Sequence, residues 1–159
     1  MKRLLWLLFA VGAYGKEEPS LLLPAAGVFN LFKEEKSVDL QFEVRFKRVI
    51  YTRSLFTLRP LIGGLVTSKG SLYGFGGFLI DMKLSPRFFF TPTFSPGLYF
   101  QGKGKNLGSP FEFRSSAELS FRREGGARIG LQFCHLSNGG FSKKNPGAEC
   151  LVAFYGIPF

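Results

Sequence analysis

From Val38 the chain alternates without a slip. Val38, Leu40, Phe42, Val44 and Phe46 fall on one face, and Asp39, Gln41, Glu43 and Arg45 fall on the other. A period of two belongs to an extended strand, because successive side chains leave it on opposite faces. The pattern returns from Phe111 to Arg122, where Phe111, Phe113, Ala117, Leu119 and Phe121 oppose Glu112, Arg114, Ser116, Glu118, Ser120 and Arg122. Weaker versions run over Ala25 to Phe32, Leu58 to Thr67, Ser71 to Met82, Phe88 to Gln101, Ala127 to Ser137 and Glu149 to Phe159. Turn-forming stretches separate them, among them Ser68-Lys69-Gly70, Glu124-Gly125-Gly126 and the segments Gly102 to Pro110 and Asn138 to Gly147. The chain therefore reads as all-β with eight strands and no amphipathic helix.

Alternation does not say which face is inside. A soluble lipocalin-like barrel buries the apolar face, whereas an outer-membrane barrel turns it to lipid and needs strands of about 9 to 11 residues. Composition bears on the choice. Twenty Phe and 45% hydrophobic residues accompany a formal charge of +10 in 159 residues, which excludes a disordered chain. No apolar run reaches the 18 residues of a membrane helix. Strand lengths near ten, aromatics on the apolar faces and a terminal Ile157-Pro158-Phe159 favour the membrane. An open sheet edge is not tolerated in lipid, so the strands are expected to close. The expectation is an eight-stranded antiparallel up-and-down transmembrane β-barrel over residues 16–159. Pro92 and Pro96 each remove a ladder donor, so bulges are expected there, and the long segment Lys47 to Phe56 is expected to form an extended hairpin.

Residues 1–15 have the layout of a secretory signal peptide: Met1-Lys2-Arg3, an apolar run from Leu4 to Gly12, and Ala13-Tyr14-Gly15 before Lys16. The mature chain is then an exported, basic protein, and integral residence in a bacterial outer membrane follows.

One histidine stands in Phe133-Cys134-His135-Leu136-Ser137-Asn138-Gly139-Gly140. Parity puts His135 and Ser137 on the lipid face with Ile129, Leu131 and Phe133, and puts Glu149 on the lipid face of the last strand. Residues two apart on a strand lie about 6.6 Å apart on one face, and antiparallel pairing brings Glu149 alongside His135. These three can form a triad, with Ser137 as nucleophile, His135 as general base and Glu149 orienting the imidazole. The glycines and asparagines of the loop that follows can aim amide groups at an oxyanion. An interfacial polar belt without chemistry is the competing reading.

The block His135-Leu136-Ser137-Asn138-Gly139-Gly140, with Asn145-Pro146-Gly147, Glu149 and the closing Tyr155-Gly156-Ile157-Pro158-Phe159, resembles the bacterial lipid A 3-O-deacylases of the PagL type. Fainter echoes lie at Leu58-Arg59-Pro60, Thr91-Pro92, Pro96-Gly97 and Leu107 to Arg114. The resemblance implies an outer-membrane barrel whose outward triad of His135, Ser137 and Glu149 hydrolyses the ester-linked acyl chain at position 3 of lipid A. It also implies an oxyanion region at Gly140 and Asn145, with Asn138 supporting the loop. The implied partner is lipid A or lipopolysaccharide of the outer leaflet, with no cofactor, no metal and no nucleic acid. Whether the barrel works alone or as a homodimer stays open, as does a catalytically silent barrel that binds lipopolysaccharide.

Two further features carry less. The loop Gly102 to Gly108 lacks the spacing and the following helix of a nucleotide-binding loop, leaving a basic loop that either touches lipid A phosphates or is simply solvated. If His135 faces Glu149, the same register sets Cys134 opposite Cys150, both inward, and a disulfide and two free thiols are both open there.

Overall fold

The computed structural model describes residues 18–159, and the expected leader lies outside them. Ten strands follow in order among these residues: β1 Leu21–Phe29, β2 Ser37–Arg45, β3 Tyr51–Arg53, β4 Phe56–Thr67, β5 Leu72–Lys83, β6 Phe88–Phe90, β7 Thr93–Phe100, β8 Phe111–Arg122, β9 Arg128–Ser137 and β10 Ala148–Pro158. All pairings are antiparallel, and β1 pairs with both β2 and β10, so the sheet closes on itself. β3 prolongs the path of β2 along β4, and β6 and β7 are two halves of one stave between β5 and β8. Counted by staves, this is the expected eight-stranded barrel.

The two irregular places exchange roles. No bulge forms at the prolines: Leu79 pairs with Thr93 and Met82 with Phe90, the same register on both sides of Pro92. Pro96 stays in line as well, opposite Phe113. The missing donors interrupt the hydrogen bonding, and neighbouring bonds such as Ile80 N to Pro92 O (3.0 Å) and Thr91 N to Glu118 O (2.9 Å) hold the strand in place. The register slips in the second stave instead. Arg45 pairs with Leu61 but Tyr51 with Leu58, so residues between them are extruded before the expected hairpin resumes.

The outward face is apolar and the inward face polar, which decides against the soluble barrel. On β8, Leu119 is 62% exposed, whereas its neighbours Glu118 and Arg114 are both 0% exposed. The lumen is filled rather than open. Toward the end that carries Ser20 and Phe159, Arg45 holds Glu43 (2.7 Å) and makes a two-pronged pair with Glu118, and Asp81 accepts from Arg59 (3.0 Å) and Arg128 (2.7 Å). Charges out of water persist only when paired in this way. Toward the other end the lumen is apolar, with Phe29, Leu65, Tyr73, Tyr99, Leu107 and Leu136 packed together.

The first and last of the described residues lie at one rim, since Phe159 N donates to Ser20 O (3.0 Å) and the turn after β8 places Gly126 against Pro19 and Pro158. The opposite rim bears the connections 30–36, 68–71, 101–110 and 138–147. In outer-membrane barrels the rim with the termini is periplasmic and the longer loops are extracellular.

Candidate active site

At the extracellular ends of β8, β9 and β10, polar side chains interrupt the apolar outer wall. His135 pairs with Glu149 across β9 and β10 and with Ser115 across β8 and β9, making one polar rung. Direct cross-strand neighbours have Cβ atoms about 5 Å apart, and the imidazole meets the acid, with His135 Nδ1 3.1 Å from Glu149 Oε1. A carboxylate only accepts, so Nδ1 carries the proton in the neutral ring and Nε2 presents a lone pair. Both groups remain reachable from outside, His135 at 45% and Glu149 at 23% side-chain exposure.

Ser137 stands two residues further up β9 on the same face, opposite Phe113. The imidazole leans toward its level. A Cβ placed on Gly147 would lie 2.8 Å from His135 Cε1 and 3.4 Å from Nε2, and Gly147 occupies the position across from Ser137 if the β9–β10 register is carried one step beyond Leu136 and Ala148. Gly147 also has φ +59°, a conformation side chains disfavour. Among the described residues the Ser137 hydroxyl makes no hydrogen bond. Thus His135 and Glu149 are in contact, and Ser137 shares their face without yet being joined to them.

The loop above is held from beneath. Asn138 is fully buried, and its amide donates to Leu107 O (3.1 Å) and Lys144 O (2.9 Å). Its side-chain oxygen accepts from Gly140 N (3.1 Å), while its own N–H donates to Asn145 Oδ1 (3.1 Å). Gly140's N–H is therefore engaged within the loop, and the Asn145 side chain keeps its NH2 group for another acceptor. The neighbouring loop is tied in as well, since Ser142 Oγ donates to Gly108 O (2.9 Å).

Several contributors escape sequence reading. Ser115 breaks the apolar series of its strand, and that break was the available signal. Leu31 N donates to Glu149 O (3.0 Å), so the first loop braces the backbone of the acid, and Lys105 Nζ donates to Asn30 Oδ1 (2.7 Å), tying another extracellular loop to the first. Burial pushes the Lys105 ammonium below the usual lysine range, against the opposing pull of Glu149. Beside Ser137, Phe113 is ringed by Phe94, Phe111 and Phe141 at 5.5, 5.2 and 5.8 Å between centroids, and Phe32 folds onto Phe133 at 6.2 Å. Beneath the His135–Glu149 rung, Cys134 and Cys150 form a disulfide inside the barrel, with Cα atoms 5.0 Å apart.

A model of the lipid A 3-O-deacylase (PagL) family matches residues 36–158, more than three quarters of the sequence. The chain belongs to the PagL family. A curated relative, the lipid A deacylase PagL of Bordetella bronchiseptica, is 36% identical over 55 residues, which cover 35% of this chain and 31% of the relative. The chain thus aligns with under a third of that PagL protein's length. A crystal structure of the outer membrane enzyme PagL superposes with a TM-score of 0.70 at 18% identity, covering 87% of this chain and 99% of the other. At that identity the likeness to PagL speaks for the fold, and it is the closed barrel described above.

Proposed function

We propose that this protein is an integral outer-membrane esterase that removes the ester-linked acyl chain at position 3 of lipid A. The observation that carries the reading is the His135–Glu149 hydrogen bond, with Ser137 beside it, on the lipid-facing wall at the extracellular rim. Lipid A has its acyl chains in the hydrocarbon and its sugars at the surface. A site on the outer wall at that depth meets the ester without extracting the lipid.

In this reading the Ser137 hydroxyl loses its proton to His135 Nε2 as its oxygen attacks the acyl carbonyl. Glu149 holds the ring in the tautomer that accepts there and stabilises the imidazolium. The tetrahedral oxyanion takes hydrogen bonds from the loop, with the Asn145 amide the donor left free and Gly140 contributing once its bond to Asn138 is exchanged. Asn138 keeps the loop at its height. As the ester carbon–oxygen bond breaks, His135 returns the proton to the departing sugar oxygen, which leaves as the 3-hydroxyl. Water, deprotonated by the same imidazole, then hydrolyses the Ser137 ester and frees the fatty acid. Residues 1–15 serve as the export leader, and residues 16–159 form the barrel.

Mass spectrometry of lipid A from cells expressing the wild type or Ser137→Ala tests the proposal. The wild type is expected to yield lipid A lighter by one ester-linked acyl chain, together with the free fatty acid. Unaltered lipid A in cells with correctly inserted wild-type barrel would leave a lipopolysaccharide-binding barrel without chemistry.

A further inference from the structure

At the periplasmic rim, below the candidate site, the ends of β8 and β10, the turn between β8 and β9 and the turn before β6 enclose a cavity of about 410 Å³ lined by Arg87, Phe121, Arg123, Glu124, Ala127 and Tyr155. Arginines crowd this end, but they divide into two sets. Arg122 and Arg128 are held by Glu18 at 2.6 and 3.1 Å. Arg87 and Arg123 line the outer cavity instead. There Arg87 meets Glu124 only at 4.0 Å, with side chains 62% and 95% exposed, and among the described residues no carboxylate pairs with Arg123. A wet ion pair of this length contributes little, so among the described residues the cavity presents two guanidinium groups against one weakly engaged acid.

Its walls indicate its depth. Phe121 and Tyr155 belong to the outward apolar series of β8 and β10, and Phe88 packs edge-on against Phe121 at 5.1 Å. Aromatic collars of this kind mark the headgroup level of a bilayer. Arg87 and Arg123 lie just beyond the collar, where the phosphates of the periplasmic leaflet run.

We propose that this cavity binds the phosphodiester headgroup of a phospholipid in the periplasmic leaflet. Arg87 and Arg123 bind the anion through charge-assisted hydrogen bonds. Phe121 and Tyr155 form the shelf for the glycerol and the first methylenes. The site also sets the height of the enzyme in the membrane. Strand β9 runs from Arg128 beside the cavity to Ser137. At about 3.4 Å per residue and a tilt near 40°, it rises roughly 25 Å, the height of the apolar band of such barrels. A phosphate held at one rim thus places the triad at the acyl–sugar boundary at the other.

Native mass spectrometry of the full-length barrel in a maltoside detergent, with added phosphatidylglycerol as the probe, tests the site. The wild type is expected to retain one lipid, and Arg87→Gln/Arg123→Gln to lower the bound fraction about tenfold, the loss of two charge-assisted contacts at a wet rim. Glu124→Gln removes the competing acid and is expected to raise retention severalfold, a gain that misfolding does not imitate. Heat-modifiability confirms that each variant is a closed barrel. Unchanged retention in the folded double variant, no gain in Glu124→Gln, or displacement of the lipid by millimolar inorganic phosphate, which would make this a free-anion site, each overturns the proposal.

Discussion

Ser137→Ala and His135→Ala are each expected to reduce ester release at least about 1000-fold while the barrel still inserts, since both side chains lie at the rim and neither fills the core. Ser115 sharpens the assignment because it stands directly beside His135 on the same rung. Ser115→Ala should leave release from vesicle-embedded lipid A within about threefold of wild type, because among the described residues no hydrogen bond joins the Ser115 hydroxyl to His135 and its loss removes no group from the proposed steps. If Ser115→Ala abolished release and Ser137→Ala did not, the nucleophile would be Ser115. Glu149→Gln keeps a hydrogen-bond acceptor for Nδ1 but loses the charge, so it should retain more turnover than Glu149→Ala, measured at one pH. Gly147 offers an independent probe. Its added methyl would press on the imidazole at 2.8 Å from a backbone at φ +59°. Gly147→Ala should slow turnover about 10- to 100-fold by displacing the ring, with heat-modifiability unchanged.

At the level of elements, the staves were legible because lipid and lumen demand opposite chemistry from alternate residues. Gln132 faces inward at 4% exposure and Leu131 outward at 58%, as parity required. The candidate site stood out for the same reason, since His135, Ser137 and Glu149 break the apolar series on one wall. What local pattern does not encode is the match between strands. β1 begins at Leu21, earlier than alternation indicated, because Leu21-Leu22-Leu23-Pro24 has no polar alternate and carries a proline. The extrusion between Arg45 and Tyr51 and the uninterrupted register past Pro92 arise from partners far along the chain. So do the brace from Leu31 to Glu149 and the closure of the disulfide. Parity itself is open to test. Leu131→Arg should cost about 2–4 kcal/mol if the residue faces mid-bilayer lipid. Gln132→Glu should cost far less, because Gln132 already accepts a 2.6 Å bond from Arg114. Urea unfolding of the two variants in vesicles measures both, and a larger loss for Gln132→Glu would mean that β9 is inverted.

For the molecule as a whole, the ionic lumen replaces the core of a soluble protein, and its centre is Asp81. That carboxylate accepts from Arg59, Arg128 and Thr91 at 2.7 to 3.2 Å. Asp81→Asn leaves the buried Arg59 without a carboxylate partner and Arg128 with Glu18 alone, and should cost about 3–5 kcal/mol in urea unfolding, the usual consequence of breaking a buried pair from one side. In the proposed reading, lipid A turnover by the surviving folded fraction should be unaffected, because the network lies toward the opposite rim from His135, Ser137 and Glu149. Closure has another outcome. The seam joins β1 to β10, and a carbon on Gly27 would collide with the Leu151 carbonyl across it. Glu149 lies on the seam strand, its carbonyl held by Leu31 from the first loop. The first and last strands of the barrel must therefore meet before the acid is fixed. In the proposed reading, a chain caught partway through insertion hydrolyses no ester, and the first ester released marks the moment when the barrel has closed.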